Sequence, residues 1–299
     1  MRFLGSLAAA LLILFSCYPL RGYAFQSIDF TPENSFTAGI EGPAVNKEGA
    51  LFAVNFREEG TIGKIDSLGQ GAVFVSLPEG SIGNGIQFDL EGNMFIADYA
   101  GHKVYRIGKG SKQLEVWAEG DATMNQPNDL AIGKNGVIYL SDPNWAAGTG
   151  NLWMVPSEGK LVLLESAMGT TNGIEVSPDG SVLYVNESVQ RVVWKYDILE
   201  DGRIANKKKL ISFEDFGLDG MRCDANGNLY IARYDKGSVV IVSPEGVVLD
   251  ERSLKGKKPS NIAFGGKDGR DCYVTMADRG CVELVRAPYP GSYFTKVMN

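Results

Sequence analysis

Six oxygen-bearing side chains recur at the same place in a repeated phrase of this chain: Glu41, Asn84, Asn128, Asn172, Asp219 and Asn261, each eight positions before a glycine. Two carboxylates with several amide carbonyls are the donors of a hard cation site, with a formal charge near minus two. One divalent cation suits such an all-oxygen set. Calcium matches it best, magnesium and manganese are admissible, and zinc is less favoured without His or Cys donors. Asn and Asp also open strands for local reasons, because their side chains satisfy nearby backbone groups. Asn84 and Asn261 fit that simpler role. Glu41 does not, since Glu is a poor turn residue and a buried Glu near an Asp is costly without a cation.

These residues share a position because the chain repeats. Each leads a short apolar strand, a glycine turn and a second apolar strand, as in Asn84-Gly85-Ile86-Gln87-Phe88 to Gly92, then Met94-Phe95-Ile96-Ala97. Successive copies start 43, 44, 44, 47 and 42 residues apart. Turns such as Asn135-Gly136 and Asp179-Gly180 are hairpin signals, and the flanks are β-branched and aromatic. A spacing in the forties suits four strands per propeller blade. Third and fourth strands are visible as Lys103 to Ile107 and Glu115 to Trp117, or Val192 to Tyr196 and Lys209 to Ile211. The spacing predicts an all-β, six-bladed propeller over residues 25–299, with no amphipathic helix. The segment Phe25 to Phe36 is expected to add a strand that closes the ring against the last blade, since an open edge invites aggregation. Equivalent residues then meet at one end of the channel.

The phrases Glu41-Gly42-Pro43, Pro127-Asn128-Asp129, Thr171-Asn172-Gly173 with Ser177-Pro178-Asp179-Gly180, and Asp219-Gly220-Met221 resemble the motifs of the senescence marker protein/gluconolactonase/regucalcin family. That family includes metal-dependent lactonases, and the diisopropyl fluorophosphatases are similar propellers. The resemblance covers nearly the whole chain after the leader. It implies a metal-assisted ring opening, with Glu41, Asn172 and Asp219 as ligands and Asn128 as a fourth ligand or a substrate contact. Asp219 is the candidate catalytic group, activating water or attacking directly. Gln126, Asn84 and Asn261 are the candidate substrate contacts. The similar sugar-lactone enzymes often carry Arg at the position of Gln126. Gln offers no charged fork there, which puts gluconolactone itself in doubt.

The remaining composition narrows the alternatives. A net charge of −7 argues against nucleic acid, and the run Lys207-Lys208-Lys209, flanked by acidic residues, is expected to be a solvated turn. His102 is the only histidine and sits in the expected turn Ala100-Gly101-His102, which excludes His-based zinc hydrolysis and disfavours a Ser-His-Asp triad. Of four cysteines, Cys17 lies in the leader, and Cys272 and Cys281 fall out of register for a hairpin pair. Arg2, the apolar run Leu4 to Phe15 and Gly22-Tyr23-Ala24 form a secretory signal peptide over 1–24, cleaved after Ala24, which implies a secreted or periplasmic protein. Asn186-Glu187-Ser188 matches a glycosylation sequon. The alternative from another class is a non-catalytic, NHL-like propeller binding a protein or glycan, suggested by Phe95 to Asp98 and Lys103 to Ile107. Such a scaffold has no need of the Glu41 and Asp219 pair.

Overall fold

The computed structural model describes residues 27–156 and 159–298, apart from the side chain of Asn135. The expected leader, its cleavage point and Cys17 lie outside the described residues. The rest forms six four-stranded antiparallel sheets, each one blade of a six-bladed β-propeller. The innermost strands are Ala44–Val45, Gly83–Phe88, Leu130–Ile132, Thr171–Val176, Met221–Cys223 and Pro259–Gly265. They touch in cyclic order, the first against the last, around the central channel.

The hairpins form where the turn glycines allow them. Every glycine eight residues after a leading residue has φ between +71° and +93°, a conformation that side chains with a Cβ adopt only with strain. Apolar residues on the two faces of each blade then pack against its neighbours. Six buried clusters result, one at each blade boundary. In one, Phe52, Val54 and Ile62 of the first blade meet Ile86, Ile96 and Tyr105 of the second. In another, Tyr230 and Ile241 of the fifth meet Ile262 and Val274 of the sixth. Truncating a fully buried wedge residue such as Ile96 to Ala costs about 2–5 kcal/mol.

The ring closes as the edge argument requires. Ile28–Asp29 pairs with Leu284 and Glu283 as the outermost strand of the sixth blade, so the first and last strands among the described residues lie in one sheet. Arg279 secures the seam. Its guanidinium bonds Asp29 at 2.7 Å, the buried Glu283 at 2.5 Å, and Glu33.

Two local expectations are corrected. A helix, Ser292–Met298, follows the last blade. Two turns rich in aromatic and β-branched residues give too little periodicity to read as helical. Lys207 to Lys209 are not a turn but part of the outermost strand Ile204–Ser212 of the fourth blade. An edge strand needs only one packed face, and lysines suit the other; Lys207 reaches Glu165 at 2.6 Å and lies over the Trp194 ring. Cys223, Cys272 and Cys281 are buried free thiols. Cys272 stands opposite Val285 and Cys281 opposite Met276, out of register as the spacing requires.

Candidate metal centre

The inner strands bring the leading residues to one end of the channel, where the backbone around each is anchored. Asn128 donates its N–H to the Ser141 carbonyl at 2.9 Å. Its own carbonyl accepts from Gly85 N at 2.8 Å and Asn84 Nδ2 at 3.0 Å. Asp219 donates its N–H to the Ala232 carbonyl at 2.9 Å and accepts from Asn186 Nδ2 at 2.6 Å through its backbone oxygen. Asn186 is fully buried, so the sequon is closed to a glycosyl transferase once the chain has folded.

The side chains at this end are short of partners. Glu41, Asn128, Asn172 and Asp219 are all buried. Glu41 Oε2 accepts from Gly42 N at 2.7 Å and from Asn261 Nδ2 at 2.9 Å. Asn128 Oδ1 and Asn172 Oδ1 have no hydrogen-bond partner. A buried acceptor left unpaired costs about 1–3 kcal/mol, so each of these oxygens calls for a donor or a cation. Burial and the neighbouring Asp129 charge push the Glu41 carboxyl up to about 7. Burial and the Glu41 charge hold Asp219 well above the usual carboxylate range, although the Asn172 amide beside it favours the ionised form. Among the described residues no three His, Cys, Asp or Glu side chains gather as a metal cluster. The fitting set is mixed: two carboxylates with two orphaned amide oxygens, an all-oxygen shell suited to a hard divalent cation.

Beneath this set lies a second tier that sequence reasoning did not find. Arg222 forks onto Asp129, with Nη1 3.0 Å from Oδ2 and Nη2 3.2 Å from Oδ1. Its Nε lies 3.8 Å from Glu175 Oε2. With its amide oxygen turned to the guanidinium, Gln87 accepts from Nη2 at 3.0 Å and Nε at 2.8 Å. Burial lifts Glu175 to about 7 in spite of Arg222. Gln87, Glu175 and Arg222 each stand three places after a leading residue. Simple alternation assigns such positions to the opposite face. Irregularities in strand pairing between Gly83 and Ile86, and between Thr171 and Ile174, break that alternation. Asp129 did carry a signal, for it occupies the place held by Gly42, Gly85, Gly173 and Gly220 in four other copies. Those glycines leave room for the adjoining blade: a Cβ at Gly220 would sit 2.0 Å from Asn261 Cγ.

The other candidates fall around this core. Asn84 directs its amide to the Asn128 carbonyl, and Asn261 directs its amide to Glu41 and Asp129. Gln126 is half-buried on the segment before the third blade, its N–H on Asp142 Oδ1 at 2.6 Å. Tyr234 lies within reach of the centre's charge, since Asp219 and Glu41 add to burial in raising its phenol. Trp145 is exposed, and His102 sits in a turn with φ +56°.

Residues 40–278 match the family model described as the SMP-30/Gluconolactonase/LRE-like region. The chain is 29% identical over 205 residues to a 6-deoxy-6-sulfogluconolactonase of Pseudomonas putida, covering 67% of this chain and 64% of that protein. It is 29% identical over 220 residues to a gluconolactonase of Zymomonas mobilis, covering 65% of this chain and 60% of that protein. The chain thus spans less than two thirds of the length of either relative. A calcium-binding protein from Agrobacterium tumefaciens, regucalcin, superposes with a TM-score of 0.76 at 21% identity, covering 89% of this chain and 97% of the other. That likeness is one of fold.

Proposed function

Because the chain belongs to the SMP-30/gluconolactonase/LRE-like family, we propose that it is a hydrolase that opens a lactone or related ester with one divalent cation, calcium foremost, held at the end of its channel. The observation that carries this reading is the pairing of two buried carboxylates, Glu41 and Asp219, with the unpartnered oxygens of Asn128 and Asn172. Those four residues would hold the cation. When bound, it supplies Lewis acidity, polarising the substrate carbonyl and stabilising the developing oxyanion.

The rest of the chemistry falls to the chain. With one oxygen on the cation, Asp219 would stay ionised, and its second oxygen would take a proton from the attacking water. The water oxygen bonds to the carbonyl carbon, the ring C–O bond breaks, and the proton held by Asp219 passes to the leaving oxygen, giving a hydroxy acid and restoring the carboxylate. The Asn186 bond to the Asp219 backbone keeps that carboxylate in place. Gln126 contributes no fixed positive charge, so the substrate we propose is an uncharged lactone or ester. The test is hydrolysis of gluconolactone, small aliphatic lactones and aryl esters, with calcium and with chelator. Turnover of a lactone that chelator abolishes and calcium restores supports the reading; no turnover of any in the presence of calcium counts against it.

A further inference from the structure

Hydrogen bonds tie Glu41 to the Arg222 and Asp129 pair of the second tier. Asn261 Nδ2 lies 2.9 Å from Glu41 Oε2 and 3.2 Å from Asp129 Oδ2, so both amide protons are engaged. Its Oδ1 accepts from Ile262 N at 2.8 Å, which fixes the direction of the amide. Asp129, itself fully buried, receives the fork of Arg222. A continuous line of charge-assisted hydrogen bonds therefore runs Arg222, Asp129, Asn261, Glu41, linking the fifth, third, sixth and first blades.

We propose that Arg222 is a positioning residue for the metal centre: through Asp129 and Asn261 it holds the Glu41 carboxylate with Oε2 tied and Oε1 free for the cation. This rests on the metal reading above and adds to it. Partners outside a metal's own ligands orient those ligands, and losing one typically weakens metal affinity 10- to 100-fold. Charge points the same way. Glu41, Asp219 and Asp129 lie within electrostatic reach of one another, and the guanidinium, which also faces Glu175, offsets part of that negative charge. A lysine keeps the charge but not the two-pronged geometry that aligns Asp129.

The experiment is calorimetric titration of calcium into the wild type, Arg222→Lys, Asn261→Ala and the double variant, with melting temperature recorded beside it. Expected are a roughly 10-fold weaker Kd in each single variant and no more than about a 2-fold further loss in the double, because both break one line. An unchanged Kd in Arg222→Lys with a lowered melting temperature would show a role in packing alone and overturn the inference. So would single losses that simply multiply in the double variant. If Arg222→Lys does not fold, Asp129→Asn carries the test: it is isosteric, and the relay requires the same loss of affinity. A wild type that binds no calcium sinks the metal reading and this inference with it, an outcome distinct from calcium binding that ignores Arg222.

Discussion

Asn186 Nδ2 grips the backbone carbonyl of Asp219 at 2.6 Å, while its own Oδ1 is buried without a partner. An amide at the end of one blade's second strand thus sets where the next blade's inner strand begins, and with it the carboxylate. Asn186→Ala releases Asp219 and leaves its carbonyl unpaired. The expected result is a loss of about 1–3 kcal/mol in urea unfolding and weaker calcium binding. An Asn186→Ala protein with wild-type stability and calcium affinity contradicts this coupling.

In the proposed site, protons and cation compete for the same oxygens. Without a cation Glu41 sits near 7, so it takes up a proton as pH falls through neutrality, and metal binding must expel it; burial and the Glu41 charge also raise Asp219. Calcium affinity is therefore expected to fall by about 10-fold or more from pH 8 to pH 6, with proton release measurable by calorimetry in buffers of different ionisation enthalpy. An affinity independent of pH across that range is incompatible with ligation by Glu41.

Glu175 gives a separate pH dependence, of stability. Its folded value near 7 lies above the ordinary carboxylate value of 4.5, so the folded state binds the extra proton between those limits. The stability this group contributes is greatest below about pH 4.5 and is lost as pH rises through 7. Glu175→Gln resembles the protonated form. In chelator, the variant is expected to gain on the wild type by on the order of 2 kcal/mol between pH 5 and pH 8, read from urea unfolding. A difference that does not change with pH rules out this assignment.

Much of this architecture was legible in the chain because it repeats. The leading residues, the turn glycines at positive φ and the closing strand before Phe36 all follow from one phrase copied six times and a ring that closes on itself. The meeting of the leading residues at one end of the channel was legible for the same reason, since equivalent positions share one height in a closed ring. What escaped the sequence breaks the copy. Glu175 and Gln87 follow pairing irregularities that no alternating pattern reports, and Arg222 joins them from a regularly paired strand. Asn261 reads as a strand opener, yet its contacts with Glu41 and Asp129 depend on blades far apart in the chain. The helix Ser292–Met298 is too short to announce itself.

In the proposed site the oxygens of Glu41, Asn128, Asn172 and Asp219 hold one divalent cation. Metal content and calcium-dependent melting of the purified protein, beside Glu41→Gln/Asp219→Asn, test this. One cation per chain is expected, with a melting temperature that calcium raises and chelator lowers and both effects absent from the double variant. A wild type that carries no divalent cation and melts identically with calcium and with chelator would contradict it, leaving these side chains as structural strand openers.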